Sequence, residues 1–554
     1  MALIQELMVP GQPNVAVLLL VAVAASALWL ALAAARQRSR RKGVPLPPGP
    51  KGEPILGHLR VIPTDNPEYA YANWARELKS DVLHFNVLGQ DIVVLNSVKS
   101  AVDLLDRRGA KYADRPRFVL FEVMGWRKTL TFLRWGEAFR MHRKILQRSF
   151  SKTNIQVYRD LQTRETHVAM RGVLHAPADW EQVLRRYATA IVLGIGFGIT
   201  LKSDKDPYVQ MAVDASYALG HGGAPAGTLV DFFPLFKSFP SWLLRDRSLQ
   251  FARDWRWAIR QIHDAPFAAV AGDMEGGTMA ETKTKTKTEK TTPNKDSLIA
   301  ALLAQRQAQL EAGVLPANTE LSVDDIKGAA GAVYAAGQDT TWSTLVVFVL
   351  NMVLQPEVQA KAQGLLDAVL VSPDGKTRRL PTFSDRPALR YIDLIVQETL
   401  RWCPVSPVGV PHRALEDDVY DGMFIPKGSF VYANARAMTH DERVYQNPDR
   451  FEPDRFASVE EGGRGEPLPV GQFGFGRRIC VGQHLAEANV WIVVATMLAA
   501  FDIGRAKGPD GQDIIPVVKV TNGLTSHPNS FPCTITPRSD TWAQVVETAA
   551  QQAL

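Results

Sequence analysis

The segment Phe473–Gly482, FGFGRRICVG, puts one cysteine in a glycine-rich loop, and the apolar helical pattern QHLAEANVWIVVATMLAAF follows directly. Cys480 therefore stands at a helix N-terminus beside Arg477 and Arg478. The positive end of the helix and the guanidinium groups both favour thiolate over thiol, which suits a metal ligand or a nucleophile. A nucleophile needs a base within reach, and His484, four residues on, is the rival reading. As a metal ligand the sulfur stands alone, because no second cysteine or histidine pair lies at metal spacing. It then needs a cofactor that brings its other ligands. Haem does so, with its pyrrole nitrogens, one axial position for Cys480 and one left open.

A second cluster lies in the longest helical pattern. SVDD supplies a capping box from Ser322 to Asp325, and the helix it starts is expected to run to about Leu354, before Pro356. Within this apolar stretch sit Gly328, Gly331, Gly337 and the polar run Gln338, Asp339, Thr340 and Thr341. Buried polar groups in mid-helix cost stability unless partnered, so the run points to function. Elsewhere, ETLR places Glu398 and Arg401 on one helix face, where they can pair. Arg140, Lys144 and Arg148 repeat every four residues as a basic stripe, which by itself reads as a solvated face.

The loop matches F-x-x-G-x-R-x-C-x-G at Phe473, Gly476, Arg478, Cys480 and Gly482, and so resembles the cytochrome P-450 superfamily. Three further motifs follow in the family's order, and the resemblance spans about residues 45 to 540. It implies a mainly α fold with small β-sheets, haem b as cofactor and Cys480 as the iron ligand. Phe473 would pack by the sulfur, and Arg478 would pair with a haem propionate. AGQDTT, Ala336–Thr341, looks like the family's oxygen-activation motif, with Thr340 and Asp339 as catalytic residues and the turn opened into a groove at Gly337. Glu398 and Arg401, with Arg455 of FEPDRF, match the family's buried structural network. Arg143 matches a propionate partner, with Phe139 standing where the family has tryptophan, and His412 matches another propionate contact or else caps local backbone. Val481 replaces a common proline, a change expected to loosen the loop slightly. Phe118, Phe121, Ala336, Val405, Val408 and Leu524 fall in segments that line the family's substrate pocket, which suggests an apolar, moderately bulky ligand.

The implied activity is that of a monooxygenase fed with electrons from NADPH by a separate reductase, since FGFGRR lacks the third glycine of a dinucleotide loop. By the same resemblance the stripe Arg140, Lys144 and Arg148 borders the proximal haem side and becomes a docking surface for an NADPH-cytochrome P-450 reductase. The style is similar to fungal microsomal members of specialised metabolism. Two alternatives stand beside it. One is non-oxygenating isomerase or dehydratase chemistry, which has no use for an intact AGQDTT. The other is a haem-binding sensor without turnover, which has no use for Asp339 or the stripe.

The elements that must carry these residues are bounded by composition. The 554 residues are 46% hydrophobic and 22% charged, enough for a large core, and their three cysteines are too scattered for a disulfide framework. The net charge of +6 is mild for this length and is no nucleic-acid signature. Val15–Ala35 is a run of 21 residues with Ser26 its only polar member, and RQRSRRK follows it. Residues 1–14 hold no Lys or Arg, so this segment reads as an uncleaved transmembrane anchor with Met1 luminal and the catalytic part cytosolic, at the endoplasmic reticulum. A cleaved signal peptide, the alternative, would need a basic region first and a shorter apolar stretch. Residues 36–50 form a basic and proline-rich hinge, whose PLPPGP reads as a stiff spacer. The catalytic domain is expected over 51–540, with HFNVLGQDIVVLN as a hairpin, Gly272–Ser297 as a mobile solvent loop and 541–554 as a tail. The aromatic, proline-rich stretch Asp231–Asp246 is either buried or dips into the bilayer surface.

Overall fold

A computed structural model describes residues 39–126, 128–223, 226–244, 246–280, 297–315 and 320–553. The proposed anchor, Val15–Ala35, lies outside the described residues. Among those described, no single helix is long and apolar enough to cross a membrane.

Twelve described helices of eleven residues or more dominate: α1 Pro67–Glu77, α2 Glu137–Ser149, α3 Arg159–His175, α4 Trp180–Phe197, α5 Pro207–His221, α6 Arg256–Ala280, α7 Leu298–Glu311, α8 Val323–Leu354, α9 Pro356–Leu370, α10 Arg390–Trp402, α11 Gln483–Ala500 and α12 Asp540–Ala553. The expected long helix is α8. Ser322 Oγ accepts from the Asp325 backbone N–H at 3.1 Å, and Asp325 Oδ2 accepts in return from the Ser322 N–H at 3.3 Å, so two orphan donors of the first turn are satisfied. Apolar on nearly every side, α8 runs through the middle of the core, packed on α4 most of all and on α5, α6, α11 and α10. Gly337 serves that packing. A Cβ there would lie 2.5 Å from Val192 Cγ1 of α4, so the missing side chain lets the two helices close. The helix continues unbroken through AGQDTT, and the expected opening at Gly337 is replaced by this helix–helix contact.

The β structure is small. Strands β1 (Val82–Val87) and β2 (Gln90–Leu95) form the expected hairpin, turning at Leu88 and Gly89 with φ of 50° and 88°, both in the left-handed region that matches the strand twist. With β3 (His412–Arg413), β4 (Asp418–Tyr420), β5 (Met423–Ile425) and β6 (Phe430–Ala433) following in the chain, the main sheet has the order β1-β2-β6-β3. The β2–β6 pair is parallel, and the β3–β6 pair carries His412 into the sheet opposite Val431. β4 and β5 form one two-stranded sheet, while β7 (Phe501–Arg505) and β8 (Cys533–Pro537) form another.

Four expectations about organisation change. The proline segment is docked on the body: the carbonyls of Pro45 and Pro48 accept from the Phe424 and His84 N–H groups at 2.7 and 2.9 Å, and Pro47 is buried. A proline lacks a backbone N–H but keeps its carbonyl, and β5 and β1, from two different sheets, each donate to one of them. Helix α6 runs to Ala280, so the first residues of the expected loop are helical, while 281–296 lie outside the described residues. The tail is helix α12, which packs on α3 and buries Trp542, Val546 and Ala550. In Asp231–Asp246, Asp231 caps a short helix through Thr228, but Phe233, Leu235, Trp242 and Leu243 are exposed, so burial does not explain the composition.

Candidate active site

Cys480 keeps accessible surface although protein groups crowd around it. The backbone of its loop makes a cradle. Cys480 N–H donates to the Phe473 carbonyl at 2.8 Å, while Gly476, at φ +55°, donates its N–H to the Asp106 carboxylate. A Cβ on Gly476 would sit 1.9 Å from the Leu105 carbonyl oxygen, so only glycine fits that approach. A Cβ on Gly482 would come within 3.9 Å of the sulfur, and the Gly482 backbone hydrogen-bonds the thiol.

Burial pushes the Cys480 thiol above its usual range, and only the Gly482 backbone and Arg143 oppose it. The expected help from Arg477 and Arg478 is absent, because both reach elsewhere. Arg477 lies over the Trp135 ring, 5.2 Å from its centroid, and Arg478 lies 3.6 Å over the ring of Phe139. A thiolate at this position therefore depends on a cation bound to the sulfur. Among the described residues no group of three or more His, Cys, Asp or Glu could hold a metal, so Cys480 would supply one ligand and the cofactor the rest.

Beside the cysteine a second feature tests the fit to haem. Arg478 is buried and donates Nε–H to the Ala113 carbonyl at 2.7 Å, but both of its terminal nitrogens are buried without a partner. Arg115, equally buried, spends Nη1 on the carbonyls of Val410 and Pro411. His412 is held by Tyr112, whose carbonyl meets Nδ1 at 2.9 Å. Burial depresses all three, and Arg115 and Arg478 repel one another and His412. The nearby carboxylate, Asp114, is taken by Arg134, Arg413 and the Trp135 N–H. Two buried guanidiniums that repel one another, with both terminal nitrogens of Arg478 unpartnered beside a neutral His412, call for a bound anion, and the paired carboxylates of haem b meet that need. Arg115 was not legible in the sequence: KYADRPRF reads as an ordinary basic loop. Arg143 donates to the Ile479 carbonyl and brings its charge to Cys480, so it braces the cysteine loop. Phe139 takes the tryptophan's place not as a donor but as the aromatic bed under Arg478.

Helix α8 contributes the remaining groups. Ala336 is exposed in mid-helix, and Thr340, one turn later on the same face, is partly open and donates Oγ1–H to the Ala336 carbonyl at 2.6 Å. Asp339 precedes Thr340, so its side chain diverges by about 100° around the helix. It is buried, and its Oδ2 accepts from Thr525 Oγ1 at 2.6 Å. Gln338 faces away, into a cavity of about 10 Å³ shared with Trp126, Ser216 and Tyr334.

The Cytochrome P450 family model matches residues 47–530. This chain belongs to the cytochrome P450 family. It is 36% identical over 502 residues to a cytochrome P450 monooxygenase of Armillaria gallica, covering 90% of this chain and 93% of the relative. It is 35% identical over 500 residues to one of Ampulloclitocybe clavipes, covering 89% and 87%. A tryptamine 4-monooxygenase of Psilocybe cyanescens is 33% identical over 504 residues, covering 89% and 93%. Among solved structures, a zebra fish cytochrome P450 with abiraterone superposes with a TM-score of 0.64 at 22% identity, covering 85% of this chain and all of that one. The P450 described here is thus an oxidoreductase of the monooxygenase class.

In this P450, Glu398 and Arg401 of α10 meet Arg455, all three without solvent exposure. Arg401 Nε and Arg455 Nε donate to the Glu398 carboxylate at 2.7 and 3.1 Å. Glu466, which the spacing did not reveal, adds a second carboxylate on Arg455 Nη1 at 2.7 Å and makes the buried cluster neutral. Arg140, Lys144 and Arg148 are all exposed on α2, and Arg477 joins them across the Trp135 ring. The substrate candidates separate. Phe118 and Phe121 are buried in an aromatic cluster with Phe132, and Val408 packs against the core under the β1–β2 hairpin. The rings of Phe118 and Phe121 pack closely, as large aromatics favour, while Val408 is partly buried. Ala336 remains open, and Val405 and Leu524 are brought side by side through backbone bonds to Ser526 and Ser406.

Proposed function

We propose that this P450 draws electrons from NADPH through a separate reductase and inserts one oxygen atom into a lipophilic small molecule of fungal specialised metabolism. The observation that carries the reading is the pairing of the single thiol of Cys480 with the buried guanidiniums of Arg478 and Arg115, the terminal nitrogens of Arg478 being without a partner. Haem held there would supply the redox chemistry, tuned by electron donation from the sulfur. Cys480 provides the ligand, while Arg478 and Arg115 neutralise and orient the carboxylates. Thr340 Oγ1 and the Asp339 carboxyl are the groups able to carry protons to the open face of α8. The exposed stripe Arg140, Lys144, Arg148 and Arg477 suits an acidic reductase surface. The segment 15–35 would anchor the chain in the endoplasmic reticulum membrane with its N-terminus luminal, and the exposed Phe233, Leu235, Trp242 and Leu243 would rest on the same bilayer.

The test is to purify the chain with haem and reductase and to screen terpenoid, polyketide, aromatic and indole compounds. NADPH-dependent products carrying one oxygen from labelled dioxygen are expected. Cys480→Ser should abolish both the products and the thiolate signature of the haem spectrum; an unchanged spectrum would overturn the reading.

A further inference from the structure

The Asp339 carboxylate is held from outside its own helix. Thr525, which donates to Oδ2 at 2.6 Å, belongs to the turn 521–527, and that turn is braced from several directions. Thr521 N–H donates to the His527 carbonyl and Ser526 Oγ–H to the Thr521 carbonyl, both at 2.8 Å. Ser526 N–H donates to the Val405 carbonyl at 2.7 Å, and Ser406 Oγ–H to the Leu524 carbonyl at 3.1 Å, so the turn is also tied to the chain after α10. A hydroxyl delivered from such a frame has little freedom to wander. Asp339 also feels the charge of Arg185 of α4, whose guanidinium lies 3.5 Å over the Trp342 ring.

The two neighbours act differently. Arg185 attracts the carboxylate as a charge, whereas the Thr525 hydroxyl fixes one oxygen in direction and leaves Oδ1 for a transferable proton. We propose that Thr525 is a positioning residue for Asp339: it holds the carboxyl in the rotamer from which a proton reaches the face shared by Ala336 and Thr340. Without it the carboxylate turns toward Arg185 and settles into an ion pair that presents no proton. The inference rests on the reading of Asp339 as proton carrier, and it assigns a catalytic consequence to a residue in the turn beside Leu524.

The experiment compares Thr525→Val, Thr525→Ser, Asp339→Asn and the double variant Thr525→Val/Asp339→Asn in the haem-loaded enzyme with reductase, using the panel compound that the parent oxidises fastest. Thr525→Val keeps the size of the side chain and should leave the haem spectrum unchanged. Product formed per NADPH should fall about tenfold, the factor set by ~1.4 kcal/mol, close to the low end for a hydrogen bond to a charged group. The solvent deuterium isotope effect should grow, Thr525→Ser should restore both, and the double variant should match Asp339→Asn. Independently of turnover, the infrared carboxylate band assigned to Asp339 by subtraction of the Asp339→Asn spectrum should shift in Thr525→Val. Impaired Asp339→Asn beside unimpaired Thr525→Val, an unmoved band, or a double variant worse than Asp339→Asn would overturn this inference alone. Asp339→Asn as productive as the parent would overturn the proton-carrier reading, and this one with it.

Discussion

Removing the Glu398 carboxylate should cost this protein a large share of its stability and its grip on haem. That carboxylate accepts four hydrogen bonds, from Arg401 Nε and Nη2 at 2.7 and 2.9 Å, from Arg455 Nε at 3.1 Å and from the Glu452 N–H at 2.7 Å. In Glu398→Ala, Arg401 would keep only the carbonyls of Thr439 and Arg450, and Arg455 would keep Glu466 and three carbonyls, so one buried positive charge loses its counterion. Breaking one side of a buried pair costs about 3–5 kcal/mol, against a total of about 5–15 kcal/mol for a folded domain. The damage should reach the cysteine loop, because Glu466, held by Arg455, lies seven residues before Phe473. Urea unfolding followed by circular dichroism, with haem release followed in the same samples, should show a lower midpoint and faster loss of haem. Glu398→Gln, which keeps the shape but not the charge, should fall between. Stability of Glu398→Ala within ~1 kcal/mol of the parent would refute the view that this network is short of spare partners.

Arg478→Leu should divide the haem-free and haem-bound forms. Burial, with repulsion from Arg143 and Arg134 and only Asp114 opposing, pushes the Arg478 guanidinium down to about 9, and its terminal nitrogens have no partner. The leucine should leave haem-free stability unchanged or raise it by about 1 kcal/mol, while haem titration shows at least about tenfold weaker binding; a destabilised haem-free form would contradict the cradle. A pH effect should come from Asp385, which the Arg379 hydrogen bond holds down to about 2 from 3.8. Because the folded value is the lower one, its stabilisation is present above about pH 4 and is lost as pH falls toward about 2. The stability gap between the parent and Asp385→Asn, read by circular dichroism in acid, should close over that window, and a gap independent of pH would refute the assignment.

Much of the site could be read from the chain because its groups lie close together in sequence. Cys480 and the glycines that wrap it fall within ten residues, Thr340 lies one turn from Ala336, and Glu398 lies one turn from Arg401. Local spacing fixes such neighbours before any tertiary contact forms. The cation cradle is different. Arg115, His412 and Arg478 are separated by about three hundred and sixty positions from first to last, and nothing in KYADRPRF marks its arginine as one that will be buried. The surroundings of Phe118 and Phe121 were hidden for a related reason: an aromatic side chain suits a core and a ligand pocket equally well, and the chain does not show that these two rings meet each other and Phe132.

The sequence by itself determined the long capped helix, the hairpin and the Glu398–Arg401 pair, since each follows from period, cap or turn chemistry within a few residues, and it singled out Cys480 as the one thiol of a glycine-rich loop at a helix N-terminus. The tertiary structure decided where charges end up. It turned Arg477 and Arg478 away from the sulfur, brought Arg143 to the cysteine loop and set Thr525 against Asp339 across 186 positions. Long side chains have several partners within reach, and the choice among them is made by what the packed core leaves open.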